Sequence, residues 1–184
     1  GYRTAVGESA IVLAKICEKV AREREASIAI AVSATDIYRI SQLVKIPVFA
    51  EHIDADEPGS ATGSIIAEDV KEAGAVGTLL NHSEKRLRMD ILEKSVQRAN
   101  EVGLITIVCA NDTDASKAAS AFEVDFIAVE PPELIGGDVS VSTAKPELIK
   151  ESVQAICGED KCVPLLVGAG VKNTGDVKIA LELG

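Results

Sequence analysis

Aromatic side chains are scarce in this sequence, which has no tryptophan, two tyrosines and three phenylalanines among 184 residues. No apolar stretch approaches the roughly 20 residues that span a bilayer, and residues 1–4 do not begin a basic, then apolar, secretory signal. Lysine and arginine form no cluster, and the net charge is −10 with a pI of about 4.7. We therefore expect a cytoplasmic protein that binds neither nucleic acid nor anionic membranes.

Metal and cofactor fingerprints are also missing. The four cysteines, Cys17, Cys109, Cys157 and Cys162, are scattered, and no histidine lies near the last two to complete a zinc set. We interpret them as free thiols in a reducing compartment, with a Cys157–Cys162 disulfide as the alternative. There is no G-x-G-x-x-G after a strand and no G-x-x-x-x-G-K-[ST], so dinucleotide and nucleoside triphosphate sites are not expected. The prediction is a protein without metal or organic cofactor.

Hydrophobic periodicity indicates one globular domain with a regular order of elements. The sequence is 47% hydrophobic and 26% charged, and residues 8–25 carry apolar side chains at helical spacing. Six short apolar runs then alternate with six amphipathic stretches. The predicted strands are 28–32, 46–50, 76–80, 104–109, 125–129 and 163–167, and the predicted helices are about 34–44, 64–73, 90–102, 113–120, 144–156 and 173–183.

Strict alternation of strand and helix predicts a parallel α/β sheet with right-handed crossovers. Its continuously apolar strands should be buried on both faces. An open doubly wound sheet and a closed (β/α)8 barrel both fit this order. His82, Glu130 and Gly168 end three different strands, which favours the barrel, because barrel enzymes build their sites at that face. Both ends of the chain look cut, so we expect residues 1–184 to form a single partial barrel domain.

His82 and Glu130 are the candidate reactive residues. His82 could simply be a locally hydrogen-bonded histidine beside a helix. In the functional interpretation, Ser83 caps that helix, the helix dipole disfavours imidazolium, and the neutral ring donates to a substrate carbonyl. Glu130 could be a solvated loop carboxylate. However, Pro131 biases Glu130 toward extended geometry, and residues 131–137 then predict a lid with a rigid start and a glycine end.

Glycines after the sixth strand predict a place for an anion. Gly168-Ala169-Gly170 precedes a helix start, so backbone N–H groups could approach an oxyanion closely, although an ordinary turn is the alternative. Gly136, Gly137 and Ser142 could add donors. His52 and Glu51 are interpreted as structural. The loop Pro58–Gly63 is either a surface excursion or a docking loop for another subunit.

Taken together, these segments resemble the triosephosphate isomerase family in its compact archaeal form, over essentially the whole chain. The residues that carry the resemblance are Asn81–Arg86, Ala128–Gly136, Ser142–Glu147, Val167–Gly170, Glu51–Asp54 with Thr62-Gly63, and Cys109.

The resemblance implies a (β/α)8 TIM barrel whose first and eighth strands are missing here. It implies that His82 is the electrophile and Glu130 the proton acceptor in the interconversion of dihydroxyacetone phosphate and D-glyceraldehyde 3-phosphate, through an enediolate, in glycolysis and gluconeogenesis. No cofactor or metal takes part. The further residues that it implies are Ile135, Gly136, Gly168 and Gly170 for substrate binding, Glu84 and Ser142 in support, and Thr62 in a subunit loop. A homo-oligomer follows, with a tetramer as first and a dimer as second expectation.

Some features depart from the family pattern. The family's first-strand Asn and catalytic Lys and its eighth-strand loop are absent, so we expect this chain as written to have negligible isomerase activity. Gly136-Gly137-Asp138 stands where many relatives have a Gly-Thr-Gly end to the lid. An aldolase would need a lysine at the end of a strand, and this sequence has none there. A metal-dependent epimerase would need several metal ligands at strand ends, and only two histidines exist in total. A non-catalytic phosphate-binding barrel fragment remains the alternative.

Overall fold

A computed structural model describes residues 2–157 and 162–183 of the chain. The structure comprises two compact units. The first consists of residues 1–80 and 88–106, and the second of residues 81–87 and 107–184.

The first unit starts with a 3-10 helix, Arg3–Ala5, and then alternates helices and strands. Its strands pair in parallel, with Ile30 opposite Val48 and Phe49 opposite Gly77. The Ile105 N–H donates to the Val76 carbonyl oxygen over 3.0 Å, so the following strand begins within this unit. The elements are α1 (Glu8–Arg24), β1 (Ile30–Val32), α2 (Ala34–Ser41), β2 (Val48–Ala50), α3 (Ala67–Glu72), β3 (Gly77–Leu80) and α4 (Met89–Glu101).

The second unit repeats the same alternation. The strand β4 (Ile105–Ala110) enters it at Ile107. Parallel pairing joins β4 to β5 at Cys109 and Ala128, and β5 to β6 at Ala128 and Leu166. The remaining elements are α5 (Thr113–Ser120), β5 (Phe126–Val129), a 3-10 helix (Pro132–Leu134), α6 (Val141–Ala144), α7 (Pro146–Ile156), β6 (Leu165–Val167) and α8 (Thr174–Glu182).

Each unit has its own buried apolar core. In the first, the strand β2 is buried at every position, and Ile37, Ile40 and Leu92 from the helices are buried with it. In the second, buried side chains from β5, α6 and α7 form one cluster, Val129, Val141 and Ile149. Burial of such strands and helix faces supplies the main driving force for folding. The predicted alternation of parallel strands and helices is confirmed in both units.

Two predictions about the second unit are corrected. The helix predicted over 144–156 is two helices, because Pro146 disfavours helical geometry at Lys145, whose φ and ψ are −140° and 57°. Cys157 and Cys162 were predicted to be free thiols, but the structure joins them in a disulfide, which brings the end of α7 next to the start of β6. Cys17 and Cys109 are free.

Within residues 2–157 and 162–183, none of the helices combines the length and the apolar character that crossing a bilayer requires.

Candidate active site

Glu130 follows directly after β5 and is held from both sides by backbone hydrogen bonds. Its N–H donates to the Ala110 carbonyl over 2.8 Å, and the Gly168 N–H donates to the carbonyl of Val129 over 3.0 Å. The residue that follows is the buried Pro131, with φ −58°. Only 9% of the Glu130 side chain is exposed. The carboxylate therefore leaves the end of the strand from a fixed backbone position, as the two prolines predicted.

His82 lies in a turn of the same unit, residues 81–87. The Lys85 N–H donates to the His82 carbonyl over 2.8 Å, and the Glu84 N–H donates to His82 Nδ1 over 3.3 Å. Because Nδ1 accepts this hydrogen bond, the proton of the neutral ring lies on Nε2. Glu84 thus acts on the ring through its backbone, while its carboxylate is 67% exposed and 3.7 Å from Nδ1.

The predicted helix cap at Ser83 is wrong. The helix α4 begins at Met89, and its N-cap is Arg88, which makes no side-chain capping bond. The reason is the turn at residues 81–87, which separates Ser83 from the start of the helix at Met89. The group that contacts His82 Nδ1 is therefore the Glu84 N–H and not a helix N-terminus.

The side chains of His82 and Glu130 lie in contact. His82 Nε2 lies 3.2 Å from Glu130 Oε2. This contact lacks the alignment of a hydrogen bond, so among the described residues Glu130 Oε2 is a buried oxygen without a hydrogen-bond partner. An unpartnered buried carboxylate oxygen is costly. It is also free to accept a proton from a bound molecule.

Asn81 and Cys109 shape this site, although sequence reasoning did not select them as site residues. Asn81 Nδ2 donates to the Cys109 carbonyl over 3.0 Å, and Asn81 Oδ1 accepts the Leu87 N–H over 2.9 Å. Asn81 has a left-handed backbone, with φ 59°, which asparagine tolerates better than most residues. Its place between a strand and His82 was the signal that could have identified it.

Burial raises the pKa of the Cys109 thiol far above its usual range. The Glu130 carboxylate, to which the thiol is hydrogen-bonded, adds to the shift, and the Arg86 guanidinium offsets part of it. Cys109 therefore stays protonated, and it serves as a donor beside Glu130 instead of a nucleophile.

The segment predicted as a lid, residues 131–137, contains the short 3-10 helix. Within it, the Gly137 N–H donates to the Leu134 carbonyl over 3.0 Å. Leu134 packs against the buried cluster of Val129, Val141 and Ile149. Ile135 is half-buried and Gly136 is exposed, with φ 69°. The segment is therefore anchored through the apolar Leu134 and is exposed at Gly136.

Glycines bring the loop after β6 close to Glu130 and to the chain beyond the lid. A Cβ on Gly168 would lie 3.4 Å from the Glu130 Cβ. A Cβ on Gly170 would lie 2.1 Å from the Val139 carbonyl oxygen, and Gly170 has φ 67°. Ala169 between them also has a positive φ, 76°, which costs about 1–2 kcal/mol for an alanine. Strain of this kind often marks functional loops.

Ser142 is buried beside this loop, and its hydroxyl is already engaged. It is 2.7 Å from the Ser140 hydroxyl and donates to the Asp176 carbonyl over 3.1 Å. The hydroxyl therefore joins α6 to the first turn of α8. The Gly137 N–H donates instead to the Leu134 carbonyl, and Gly136 is exposed.

Thr62 belongs to the first unit, where it is exposed in a turn of the predicted subunit loop. His52 is buried, and its Nε2 lies 3.0 Å from Asp54 Oδ1. Asp54 Oδ2 accepts the Ile65 N–H over 2.8 Å. His52 thus has a structural partner at the base of that loop.

Among the described residues, no group of three or more histidine, cysteine, aspartate or glutamate side chains lies close enough together to bind a metal ion.

Comparison with known proteins gives a consistent result. The family profile described as triosephosphate isomerase matches residues 2–184. A triosephosphate isomerase from Methanothermus fervidus is 46% identical over 183 residues, which cover 100% of this chain and 82% of that protein. Those from Methanocaldococcus jannaschii and Methanosarcina acetivorans are 45% and 42% identical over the same length, and 84% and 82% of each is covered.

Proposed function

We infer, from the membership of this chain in the triosephosphate isomerase family, that it is an isomerase of triose phosphates. Its reaction interconverts dihydroxyacetone phosphate and D-glyceraldehyde 3-phosphate. The observation that carries this proposal is the 3.2 Å approach of His82 Nε2 to the buried, unpartnered Glu130 Oε2. A carboxylate base paired with a neutral histidine is the established pattern of triosephosphate isomerase.

Glu130 is the proposed base. Its Oε2 takes a proton from the carbon next to the substrate carbonyl, and the electron pair of that C–H bond moves to form the enediolate. The burial of the carboxylate removes competing water, and Pro131, with φ −58°, stiffens the chain next to it. The base returns the proton to the neighbouring carbon, while the former carbonyl oxygen gains a proton and the former hydroxyl oxygen loses one. The isomerisation therefore needs neither an oxidant nor a second substrate.

His82 is the proposed electrophile. The Glu84 N–H occupies Nδ1, so Nε2 carries the proton that can be donated to the carbonyl oxygen on which negative charge develops. The imidazole is already held in this tautomer before substrate binds. Such preorganised donors stabilise the transition state more than the ground state.

The phosphate is assigned to the loop after β6. Gly168 and Gly170 lack the Cβ atoms that would press on Glu130 and on the Val139 carbonyl. A phosphate at this loop would lie next to the start of α8. Ile135 and Gly136 in the lid would close over the bound triose, while Ser142 braces the loop through the Asp176 carbonyl.

The family also supports proposals about assembly and location. We propose that residues 1–184 form part of one barrel domain, that the exposed loop with Thr62 contacts another subunit, and that the assembly is a homotetramer, with a dimer as second choice. Glycolysis and gluconeogenesis in the cytoplasm are the proposed setting. The non-catalytic fragment is less well supported, because the family profile extends over residues 2–184.

Hydrogen exchange into substrate tests the chemistry. Dihydroxyacetone phosphate would be incubated with the protein in D2O, and deuterium on its hydroxymethyl carbon would be followed by NMR. Glu130→Gln should lower the exchange rate by about 10²–10⁴ while 2-phosphoglycolate binding is retained. Glu151→Gln, which changes an exposed carboxylate in α7 outside the candidate site, is the matched control and should exchange as the unaltered protein does.

Two outcomes separate the interpretations. If the unaltered protein exchanges measurably, an equal rate in Glu130→Gln would contradict the assignment of the base. The same assay tests the prediction that this 184-residue chain has negligible turnover, because exchange would then be absent while 2-phosphoglycolate still binds. Loss of both exchange and binding would contradict the proposed function itself.

A further inference from the structure

The chain just after the lid is joined to the loop after β6 by three different kinds of contact. The Val141 N–H donates to the Ala169 carbonyl over 3.2 Å. The Val139 carbonyl lies against Gly170, where a Cβ would be only 2.1 Å away. The Asp138 carboxylate forms an ion pair with the Lys172 ammonium. A hydrogen bond, a close backbone approach and a charge pair therefore converge within four residues of the lid.

The Lys172 side of this junction is itself fixed. The Lys172 N–H donates to Asp176 Oδ2 over 2.9 Å. Asp176 also forms a capping box with Asn173 at the start of α8, and its carbonyl accepts the Ser142 hydroxyl. The backbone of Lys172 is thus held by the helix start, so an ion pair to its side chain restrains Asp138 against a rigid support.

We propose that Asp138 and Lys172 are positioning residues whose ion pair latches the C-terminal end of the lid to the loop that carries Gly168 and Gly170. The inference rests on the proposed function only in treating residues 131–137 as a lid. The carboxylate at position 138 is essential to this ion pair, because a residue without a side-chain acceptor there could not bond to Lys172.

The exposure of the pair suits a contact that has to open and close. Asp138 is 94% exposed and Lys172 is 52% exposed. The Lys172 ammonium lowers the pKa of Asp138 by hydrogen bonding, so the carboxylate remains charged near neutral pH. An exposed ion pair changes an equilibrium by a small factor and is screened by salt. The latch therefore adjusts the lid without locking it.

Amide hydrogen exchange of the ligand-free chain tests the latch. Asp138→Asn and Lys172→Gln should each speed exchange at the Val141 and Gly137 amides by roughly twofold to fivefold. The charge swap Asp138→Lys with Lys172→Asp should restore slow exchange at both. In the unaltered protein, 0.5 M NaCl should reproduce the effect of the single variants. The matched control is Lys150→Gln, which breaks an exposed pair with Glu147 inside α7 and should change neither amide.

The Ile127 amide, which donates to the Pro164 carbonyl, reports on general loosening of the unit. Equal acceleration at Ile127 would overturn the proposal, because the effect would then not be local. The proposal would also be overturned if either single variant exchanged at the unaltered rate. It would be overturned likewise if the charge swap exchanged faster than both single variants. Since no substrate is present, these results do not depend on whether the chain is an isomerase, and a failed isotope exchange assay would leave them standing.

Discussion

Asn81 donates a hydrogen bond from its Nδ2 to the Cys109 carbonyl oxygen, over 3.0 Å, and so fastens the turn that carries His82 to β4. The same side chain accepts the Leu87 N–H, while the Arg86 guanidinium donates to the Asn81 carbonyl over 2.8 Å. The turn at residues 81–87 is therefore closed by Asn81 at both ends. His82 owes its position to this residue instead of to a helix.

Replacing Asn81 with alanine should destabilise the protein by about 2–4 kcal/mol. Part of this cost is the left-handed backbone, about 1–2 kcal/mol for an alanine, and part is the loss of two hydrogen bonds. Asn81→Gly loses the same bonds but adopts a positive φ freely, so it should be less destabilising than Asn81→Ala by about 1 kcal/mol. Urea unfolding of the three proteins measures both differences.

NMR of the two histidines separates a local effect from a global one. Asn81→Ala should move the ring signals of His82 and leave those of His52, which is buried beside Asp54, in place. If both histidines shift together, or neither does, Asn81 does not position His82.

Gly170 is predicted to be intolerant of any side chain. Gly170→Ala should cost about 2–4 kcal/mol, because it adds a backbone collision with the Val139 carbonyl to the cost of a positive φ. Gly136→Ala is the matched control, since Gly136 has φ 69° with no atom within 4 Å of its added Cβ. It should cost only about 1–2 kcal/mol. Equal losses in urea unfolding would show that the Val139 contact contributes nothing.

Much of the candidate site could be predicted because the carboxyl ends of parallel strands meet at one edge. His82 and Glu130 end different apolar runs, and this rule alone places them near each other. The restraint on the Glu130 backbone could likewise be predicted, because a proline restricts the backbone conformation of the residue before it. These predictions depend on covalent geometry and strand order, which a sequence displays directly.

The parts that could not be predicted depend on contacts between distant residues. The Ser83 cap looked reasonable locally, but the bond from Asn81 to Cys109 spans 28 positions and favours a turn there. The raised pKa of Cys109 depends on burial by the folded chain and on Glu130, which is distant from Cys109 in the sequence. The break at Lys145 was visible in Pro146, yet the helical periodicity around it favoured one continuous helix.

Asp54 provides the last prediction, in the first unit. Its two carboxylate oxygens contact His52 Nε2 at 3.0 Å and the Ile65 N–H at 2.8 Å, and its own N–H donates to the Ile65 carbonyl over 2.8 Å. Asp54 therefore closes the base of the loop at residues 55–64. Asp54→Ala keeps the backbone bond but removes both side-chain contacts, so the loop should open more often, at a cost of about 1–3 kcal/mol.

Limited proteolysis measures that opening, because cleavage of an exposed loop follows the population of its open form. Asp54→Ala should be cut within residues 55–64 faster than the unaltered protein, whereas Glu57→Ala, a change at an exposed position of the same loop, should be cut at the original rate. If the loop also carries the proposed subunit contact, sedimentation should show Asp54→Ala shifted toward smaller species. Faster cleavage without any change in assembly would show that Asp54 closes the base of the loop. It would also show that the loop does not form the subunit contact.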